Sequence, residues 1–168
     1  VFAQGPIGLC ATAGARLLGA TTIIAVDGND HRLGIAQKMG ADVTLNFKNC
    51  DVIDEIMKIT GGRGADSAIE ALGTQATFES ALRSIKPGGT LSSLGVYSED
   101  LKIPLSAFAA GLGDHKINTA LCPGGKERMR RLMNVLASNR LDLGLLVTHQ
   151  YKLDDIVAAY DLFAHQRD

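Results

Sequence analysis

Short apolar runs alternate with longer amphipathic stretches along most of this sequence. The short runs predict strands, and the amphipathic stretches, whose apolar residues repeat every three to four positions, predict helices. The predicted strands are residues 1–3, 22–27, 41–47, 65–73 with its turn, 90–96 and 115–121. Strands separated by helices pair in parallel, because each helix carries the chain back to the same end of the sheet. We therefore predict an α/β Rossmann fold with a doubly wound parallel six-stranded sheet flanked by helices.

The pattern changes near residue 140, which divides the chain into two predicted parts. Residues 1–140 form the predicted Rossmann domain, and its last helix, over 126–137, is expected to turn its apolar side chains inward. Residues 141–168 start as an apolar extended stretch, continue as a helix through His165 and are expected to lie outside the sheet. Because the sequence opens inside a strand and has no initiator methionine, we expect it to be part of a longer protein.

Composition excludes several classes of function. The 168-residue chain has a net charge of −1 and no prominent basic face, so we expect no nucleic-acid partner. It has neither an apolar run of about 18 residues nor a secretion leader, so we expect no membrane span and a cytoplasmic location. Its three cysteines and four histidines lack the spacing of metal ligands, and no metal site can be assigned within the chain.

The candidate functional site begins where the first predicted strand turns into the first helix. Gly5 would let the backbone approach a bound phosphate, and Gly8 would let the helix pack closely on the strand. The N–H groups and the dipole of this helix point to the same place, which favours a pyrophosphate. Ala3 stands at the usual first glycine position, so the motif is A-x-G-x-x-G.

Asp27 ends the second predicted strand 19 residues after Gly8, close to the offset of about 20 expected for an acid that binds a ribose diol. A carboxylate accepts hydrogen bonds from both ribose hydroxyls, whereas it repels the 2′-phosphate of NADP. We therefore predict NAD as the cofactor, with a preference of at least about 100-fold over NADP. Arg32 is predicted either to help hold the adenosine side or to pair with Asp30.

Two further turns follow predicted strands at the same edge of the sheet, at residues 70–73 and 94–96. Ligands of such sheets lie beyond the carboxyl ends of the strands, so these turns are expected to line the far half of a dinucleotide. Glu70 is the one acid there. Its more common role would be to cap a neighbouring helix or to pair with a base.

The sequence contains GPIGL at 5–9, GAD at 40–42, KPGGT at 86–90, HKI at 115–117, LCPGG at 121–125 and LVTH at 146–149. With these passages the whole chain resembles the coenzyme-binding part of the medium-chain, zinc-dependent alcohol dehydrogenases, and the last two passages are more typical of their secondary-alcohol branch. In that branch, members that prefer NADP tend to have a small residue where this chain has Asp27.

The resemblance implies cofactor contacts along the whole edge of the sheet. The pyrophosphate would meet Gly5, Pro6, Ile7 and Gly8, while Asp27 would bind the adenosine ribose beside Arg32. The nicotinamide half would meet Ala71, Leu72, Leu94, Gly95, Val96, Ala120, Leu121 and Cys122.

The resemblance also implies what surrounds this chain in its parent enzyme. A catalytic (GroES-like) domain, absent from this sequence, would hold the zinc, and residues 141–168 would begin the return to it. The parent enzyme would transfer hydride between a secondary (or primary) alcohol and NAD, whereas this segment alone is expected to be inactive. Family members pair through the region of residues 115–121, so we expect a homo-oligomer.

Two other functions use similar residues. A non-catalytic NAD-sensing regulatory domain would use the same turn and Asp27, but it has no evident use for residues 141–168. A methyltransferase that binds S-adenosylmethionine normally has an acid just before its glycines, where this chain has Val1, Phe2 and Ala3.

Overall fold

A parallel sheet forms the centre of the computed structural model, which describes residues 1–165. Its strands in this range are β1 (Ile24–Asp27), β2 (Val43–Asn46), β3 (Ala65–Glu70), β4 (Ile85–Ser93) and β5 (Lys116–Thr119). Strand β1 pairs with β2, and β4 lies between β3 and β5. Phe2 forms parallel bridges to Val26 in β1 and to Glu70 in β3, so it joins the two groups of strands.

The prediction of a six-stranded sheet is wrong in its count, because residues 1–3 provide one bridge position rather than a strand. The Phe2 N–H donates to the Ile69 carbonyl at 2.8 Å, and the Ala3 N–H donates to the Val26 carbonyl at 2.9 Å. Ala3 then has φ 67°, which takes the backbone out of the extended region and ends the pairing. The connection between the two groups of strands is therefore short.

Strand β4 also begins earlier than the sequence predicts. Ile85 pairs with Ala65, and Thr90 is the next residue of β4 to pair with β3, opposite Ser67. The Lys86–Gly89 turn, predicted to separate a helix from a strand, is therefore a bulge within β4.

The helices described are α1 (Pro6–Leu17), α2 (Asp30–Lys38), α3 (Val52–Ile59), α4 (Gln75–Ser84), α5 (Lys126–Ala137) and α6 (Ile156–Ala164). Three of them begin at side-chain caps: Asn29 caps α2, Asp51 caps α3 and Thr74 caps α4, each by accepting a backbone N–H from the first turn. Short 3₁₀ helices lie at Ala109–Gly111, Leu143–Leu146 and Leu153–Asp155. None of the helices within residues 1–165 has the length and apolar character needed to cross a membrane.

The sheet has an apolar core on each face. Successive residues of a strand point to opposite faces, so Ala25 packs with α1 and α2 while Val26 packs with α3 and α4. Leu9, Ala13, Leu33 and Ala36 belong to the first core. Phe2, Ile56, Phe78 and Leu82 belong to the second. This arrangement is the doubly wound α/β fold that the sequence predicts.

The C-terminal third of the chain packs differently from the prediction. On α5, Met129, Leu132 and Met133 are exposed and Leu136 is half-buried, so the helix does not turn this face inward. The stretch from 141, predicted as extended, forms a 3₁₀ turn instead. Leucines of this stretch pack against the core between α1 and α2. They are Leu141, Leu143, Leu145 and Leu146.

Gly8 lies where α1 comes closest to the turn that precedes it. A methyl group built at Gly8 would overlap the carbonyl oxygen of Ala3 and would also approach the Ala71 side chain. Gly14, two turns further along α1, has no atom within 4 Å of such a methyl group. A side chain should therefore destabilise the fold at Gly8 but not at Gly14.

We expect Gly8→Ala to lower the free energy of unfolding by about 1–3 kcal/mol, because the added methyl group forces α1 away from the turn. Gly14→Ala is the matched control and should raise it by about 0.5–1 kcal/mol, since alanine favours a helix interior over glycine. Urea unfolding followed by circular dichroism measures both values. Equal stability of the two variants would contradict this packing.

Candidate functional site

The N-terminus of α1 opens onto the carboxyl edge of the sheet without a side-chain cap. Gly5 is the N-cap residue, and Pro6 at the first helical position has no N–H. The first hydrogen bond of the helix runs from the Leu9 N–H to the Gly5 carbonyl at 2.9 Å, so the N–H groups of Ile7 and Gly8 precede it. Since α2, α3 and α4 all have side-chain caps, α1 stands apart among the helices that flank the sheet.

The turn before α1 combines a strained residue with an open one. Ala3 has φ 67°, a left-handed conformation that costs a non-glycine residue about 1–2 kcal/mol. A methyl group built at Gly5, in contrast, would have no protein atom within 4 Å. The backbone at Gly5 therefore faces open space.

Asp27 is held in place by backbone amides on both of its oxygens. Its Oδ2 accepts the Gln4 N–H at 2.6 Å, and its Oδ1 accepts the Asn29 N–H at 2.9 Å. The residue is 9% exposed. Because a carboxylate has about four lone-pair positions, these two bonds orient Asp27 and leave it able to accept further O–H donors.

A cavity of about 350 Å³ lies between the turn, Asp27 and the end of β3. Five of the predicted site residues line it, although they come from separate parts of the chain. They are Gly5, Asp27, Arg32, Ala71 and Leu72. Arg32, which is half-buried in the first turn of α2, brings the one cationic side chain among the residues that line this cavity.

The other predicted site residues lie along the same edge of the sheet but outside this cavity. Pro6 and Ile7 are exposed in the first turn of α1, and Gly8 is buried behind them. Leu94, Gly95 and Val96 follow β4, where Val96 is exposed. Ala120, Leu121 and Cys122 follow β5 and are all exposed.

Phe47 is a cavity residue that the sequence analysis missed. It follows β2 directly and is 57% exposed. Its ring lies against Gly28, where a methyl group would overlap it. The rule that ligands lie beyond the carboxyl ends of strands, which was applied to residues 70–73 and 94–96, would also have pointed to Phe47. Side chains of α4 that line the cavity were missed as well. They are Ala76, Thr77 and Ser80.

Glu70 holds the loops that follow β3 and β4 together. Its side chain is fully buried. Oε1 accepts the N–H groups of Leu72 and Gly73 and the Thr77 hydroxyl, each at 2.8 Å. Oε2 accepts the Tyr97 hydroxyl at 2.6 Å and the Ser93 hydroxyl at 3.3 Å. Glu70 thus has a structural role, but its donors are loop amides and hydroxyls rather than the helix N–H groups or the basic side chain that the sequence predicted.

The charge of Glu70 is stabilised by these donors. Burial acts to raise its pKa, but the hydrogen bonds, above all that from Tyr97, outweigh burial and hold the pKa below its ordinary value. Burial and then the hydrogen bond to Glu70 raise the pKa of Tyr97 to about 12. At neutral pH the pair is thus a carboxylate and a neutral phenol.

No group of three or more metal-binding side chains occurs within residues 1–165. Cys10 and Cys122 are exposed thiols, and Cys50 donates to the Asn46 carbonyl at 3.4 Å. The described residues therefore do not fit a zinc ion. The open space at Gly5 and the oriented Asp27 carboxylate, in contrast, share one cavity.

Comparison with known proteins gives a consistent family. A model described as zinc-binding dehydrogenase matches residues 6–138. The whole chain is 84% identical to 46% of an alcohol dehydrogenase of Cupriavidus necator. Over 165 residues it is 37% identical to the NADP-dependent isopropanol dehydrogenase of Thermoanaerobacter brockii, covering 96% of this chain and 47% of that protein.

Solved structures agree with the sequence comparisons. Zinc-dependent alcohol dehydrogenase 2 of Streptococcus pneumonia is 32% identical and has a TM-score of 0.89, over 99% of this chain and 48% of that one. The chain thus spans about half the length of the relatives that it matches.

We expect Glu70→Gln to lower the free energy of unfolding at pH 7 by about 3 kcal/mol, because charge-assisted hydrogen bonds to a buried carboxylate are lost. Since folding lowers the pKa of Glu70, the stabilisation is present above its unfolded pKa and is lost as pH falls through the folded value. The difference between the unsubstituted chain and the variant should therefore narrow below about pH 4.

Urea unfolding at several pH values measures this difference. Glu79→Gln is the control, because Glu79 pairs with Arg83 on the surface of α4 at 2.7 Å and its loss should cost less than about 1 kcal/mol. If the loss of unfolding free energy in Glu70→Gln stays the same from neutral to acidic pH, the stabilising role of the Glu70 charge is contradicted.

Proposed function

Since this chain belongs to the zinc-binding dehydrogenase family, we propose that it is the coenzyme-binding domain of an alcohol dehydrogenase and binds NAD at the carboxyl edge of its sheet. The observation that carries the proposal is the Asp27 carboxylate, oriented by two backbone amides on the wall of a cavity next to an uncapped helix. A diol and a diphosphate are the groups that such a pair of sites recognises.

The pyrophosphate is proposed to bind in front of Gly5, at the N-terminus of α1. Pro6, Ile7 and Gly8 form the first turn there, and the N–H groups of Ile7 and Gly8 are not used by a side-chain cap. Negative charge is favoured at this end of the helix by the dipole. A methyl group built at Gly5 would have none of the described non-neighbouring residues within 4 Å, which supports close approach of the phosphate oxygens to the backbone.

The adenosine ribose is proposed to bind at Asp27, with Arg32 beside it and Phe47 on the neighbouring wall. The ribose hydroxyls donate to the carboxylate, and its orientation is set before the ligand arrives, which reduces the cost of ordering the site. A 2′-phosphate in the same position would meet a like charge. This contact supports NAD over NADP.

Some relatives are named for the other cofactor, since the proteins of Thermoanaerobacter brockii and Clostridium beijerinckii are NADP-dependent isopropanol dehydrogenases. These two proteins are 37% and 38% identical to this chain, so family membership alone does not select between the cofactors. The proposal for NAD depends on Asp27 rather than on the relatives.

The nicotinamide half is proposed to extend past Ala71 and Leu72 towards Leu94, Gly95 and Val96, and then to Ala120, Leu121 and Cys122. The loops after β3 and β4 are joined by Glu70, and the Leu94 N–H donates to the Glu70 carbonyl at 2.8 Å. Support for this path comes from the common carboxyl edge of the parallel strands.

In the whole protein we propose hydride transfer between NAD and a secondary or primary alcohol, with the ketone or aldehyde as the other reactant. Zinc would polarise the alcohol oxygen and would be bound by residues outside this chain. Residues 141–168 would begin the return to that catalytic domain. The part of this chain is to bind and orient the coenzyme. A cytoplasmic location stays a prediction from the sequence.

We further propose that two copies associate through β5. Strand β5 pairs with β4 on one side, and all four of its residues are exposed. An edge strand with an exposed apolar residue such as Ile117 is prone to pair with a second chain.

The cofactor proposal predicts that the chain binds NADH at least about 100-fold more tightly than NADPH. Asp27→Asn removes the negative charge at similar size. It should therefore weaken NADH binding by about tenfold or more and leave NADPH binding unchanged or improved. Nucleotide fluorescence titration measures all four dissociation constants.

Asp42→Asn is the matched control. Asp42 also accepts a backbone N–H, that of Ile23 at 2.8 Å, but it precedes β2 at the opposite edge of the sheet. Its loss should leave both dissociation constants unchanged. Equal affinities of the unsubstituted chain for NADH and NADPH would refute the role given to Asp27.

Association through β5 predicts that the chain sediments as a dimer and that Ile117→Lys makes it a monomer, because a charge is then buried at the strand edge. Leu18→Lys, at the exposed end of α1, is the control and should leave the chain a dimer in sedimentation. A monomer in the unsubstituted chain would refute the proposal.

A further inference from the structure

We propose that Gln4 and Thr12 form a buried brace that positions the turn at Ala3, and with it Asp27, for coenzyme binding. This inference rests on the proposed function. Neither residue contacts the coenzyme in the proposed site, so both are positioning residues. The brace links the turn, α1 and the segment that joins the two groups of strands.

Both side chains are fully buried and are paired with each other. The Thr12 hydroxyl donates to Gln4 Oε1 at 3.0 Å, and Gln4 Nε2 donates to the Val1 carbonyl at 3.0 Å. The Gln4 side-chain amide is therefore fixed at both ends. Its oxygen accepts from Thr12 in α1, and its nitrogen donates to the carbonyl of Val1. A buried amide with both ends satisfied has one preferred orientation.

The turn needs such support because of the residue that precedes Gln4. Ala3 has φ 67°, in the region that favours glycine, and its carbonyl oxygen lies against Gly8. An alanine released from this conformation would return to the extended region. Gln4, anchored on both sides, prevents that change because its backbone follows Ala3 directly.

The brace acts on the ligand site through one backbone hydrogen bond. The Gln4 N–H donates to Asp27 Oδ2 at 2.6 Å, so the orientation of the turn sets the orientation of the carboxylate. If the turn relaxes, Asp27 loses this donor and Gly5 moves relative to α1. Both the ribose contact and the phosphate contact then change together.

The consequence is a specific coupling between residues 3 and 12. Thr12→Val keeps the size of the side chain and removes the hydroxyl, and we expect it to weaken NADH binding about tenfold. In a chain that also carries Ala3→Gly, the left-handed turn is no longer strained. There Thr12→Val should weaken NADH binding by less than about twofold. Thr12→Ser keeps the hydroxyl and should bind NADH like the unsubstituted chain.

NADH titration of these variants, together with amide hydrogen exchange of Gln4 in the free protein, tests the brace. Thr12→Val should accelerate exchange of the Gln4 N–H, and Ala3→Gly should suppress that acceleration. Thr60→Val is the control, because the Thr60 hydroxyl donates to the Ile56 carbonyl at 2.8 Å at the C-terminal end of α3. It should change neither measurement.

The outcomes separate the brace from the proposed function. A loss of NADH affinity in Thr12→Val that is equal with and without the Ala3→Gly substitution, or no loss in either case, would overturn the brace. If the unsubstituted chain fails to bind NADH while Gln4 exchange still responds to Thr12→Val and to Ala3→Gly as expected, the brace stands and the NAD proposal fails.

Discussion

The structure depends on how abruptly the chain leaves the sheet and enters its first helix. Phe2 still pairs with strands on both sides, Ala3 already has a left-handed backbone, and α1 begins at Pro6. Because so few residues separate the sheet from the helix, the Ala3 carbonyl comes against Gly8 and leaves no room for a side chain there. The same short connection brings the uncapped end of α1 beside the carboxyl ends of β1 and β3, where the cavity lies.

Two carboxylates at this edge show how similar chemistry gives different roles. Asp27 and Glu70 each end a strand and each accept backbone N–H groups. Glu70 is enclosed by five donors, so its lone pairs are used within the protein and its charge stabilises two loops. Asp27 accepts two described donors and lies on a cavity wall, so it can still accept hydrogen bonds from a ligand. The number of internal donors, rather than the residue type, distinguishes the structural acid from the candidate ligand-binding one.

Local sequence signals predicted the elements whose cause is local. Asn29, Asp51 and Thr74 cap helices through their own side chains. The spacing of Gly8 and Asp27 follows from one strand–helix–strand unit. Both features are therefore accessible to sequence reasoning. The single bridge at Phe2 depends on the backbone angle of Ala3, and the Gln4–Thr12 pair depends on the approach of α1, neither of which leaves a periodic signal. On α5, periodicity predicted an apolar face correctly, but a pattern does not state which surface covers that face.

Burial of apolar side chains is divided unevenly along the chain. The sheet and helices α1 to α4 bury apolar side chains in two cores, whereas α5 and α6 leave residues such as Leu132, Met133 and Phe163 exposed. Exposed apolar faces of this kind mark surfaces that contact other structure. The residues that line the cavity at Asp27 all lie between Phe2 and Ser80. Ala120, Leu121 and Cys122, in contrast, follow β5 and are exposed. On the proposed path of the coenzyme, the adenosine side would thus meet residues of the buried sheet and helices, whereas the nicotinamide side would meet exposed residues after β5.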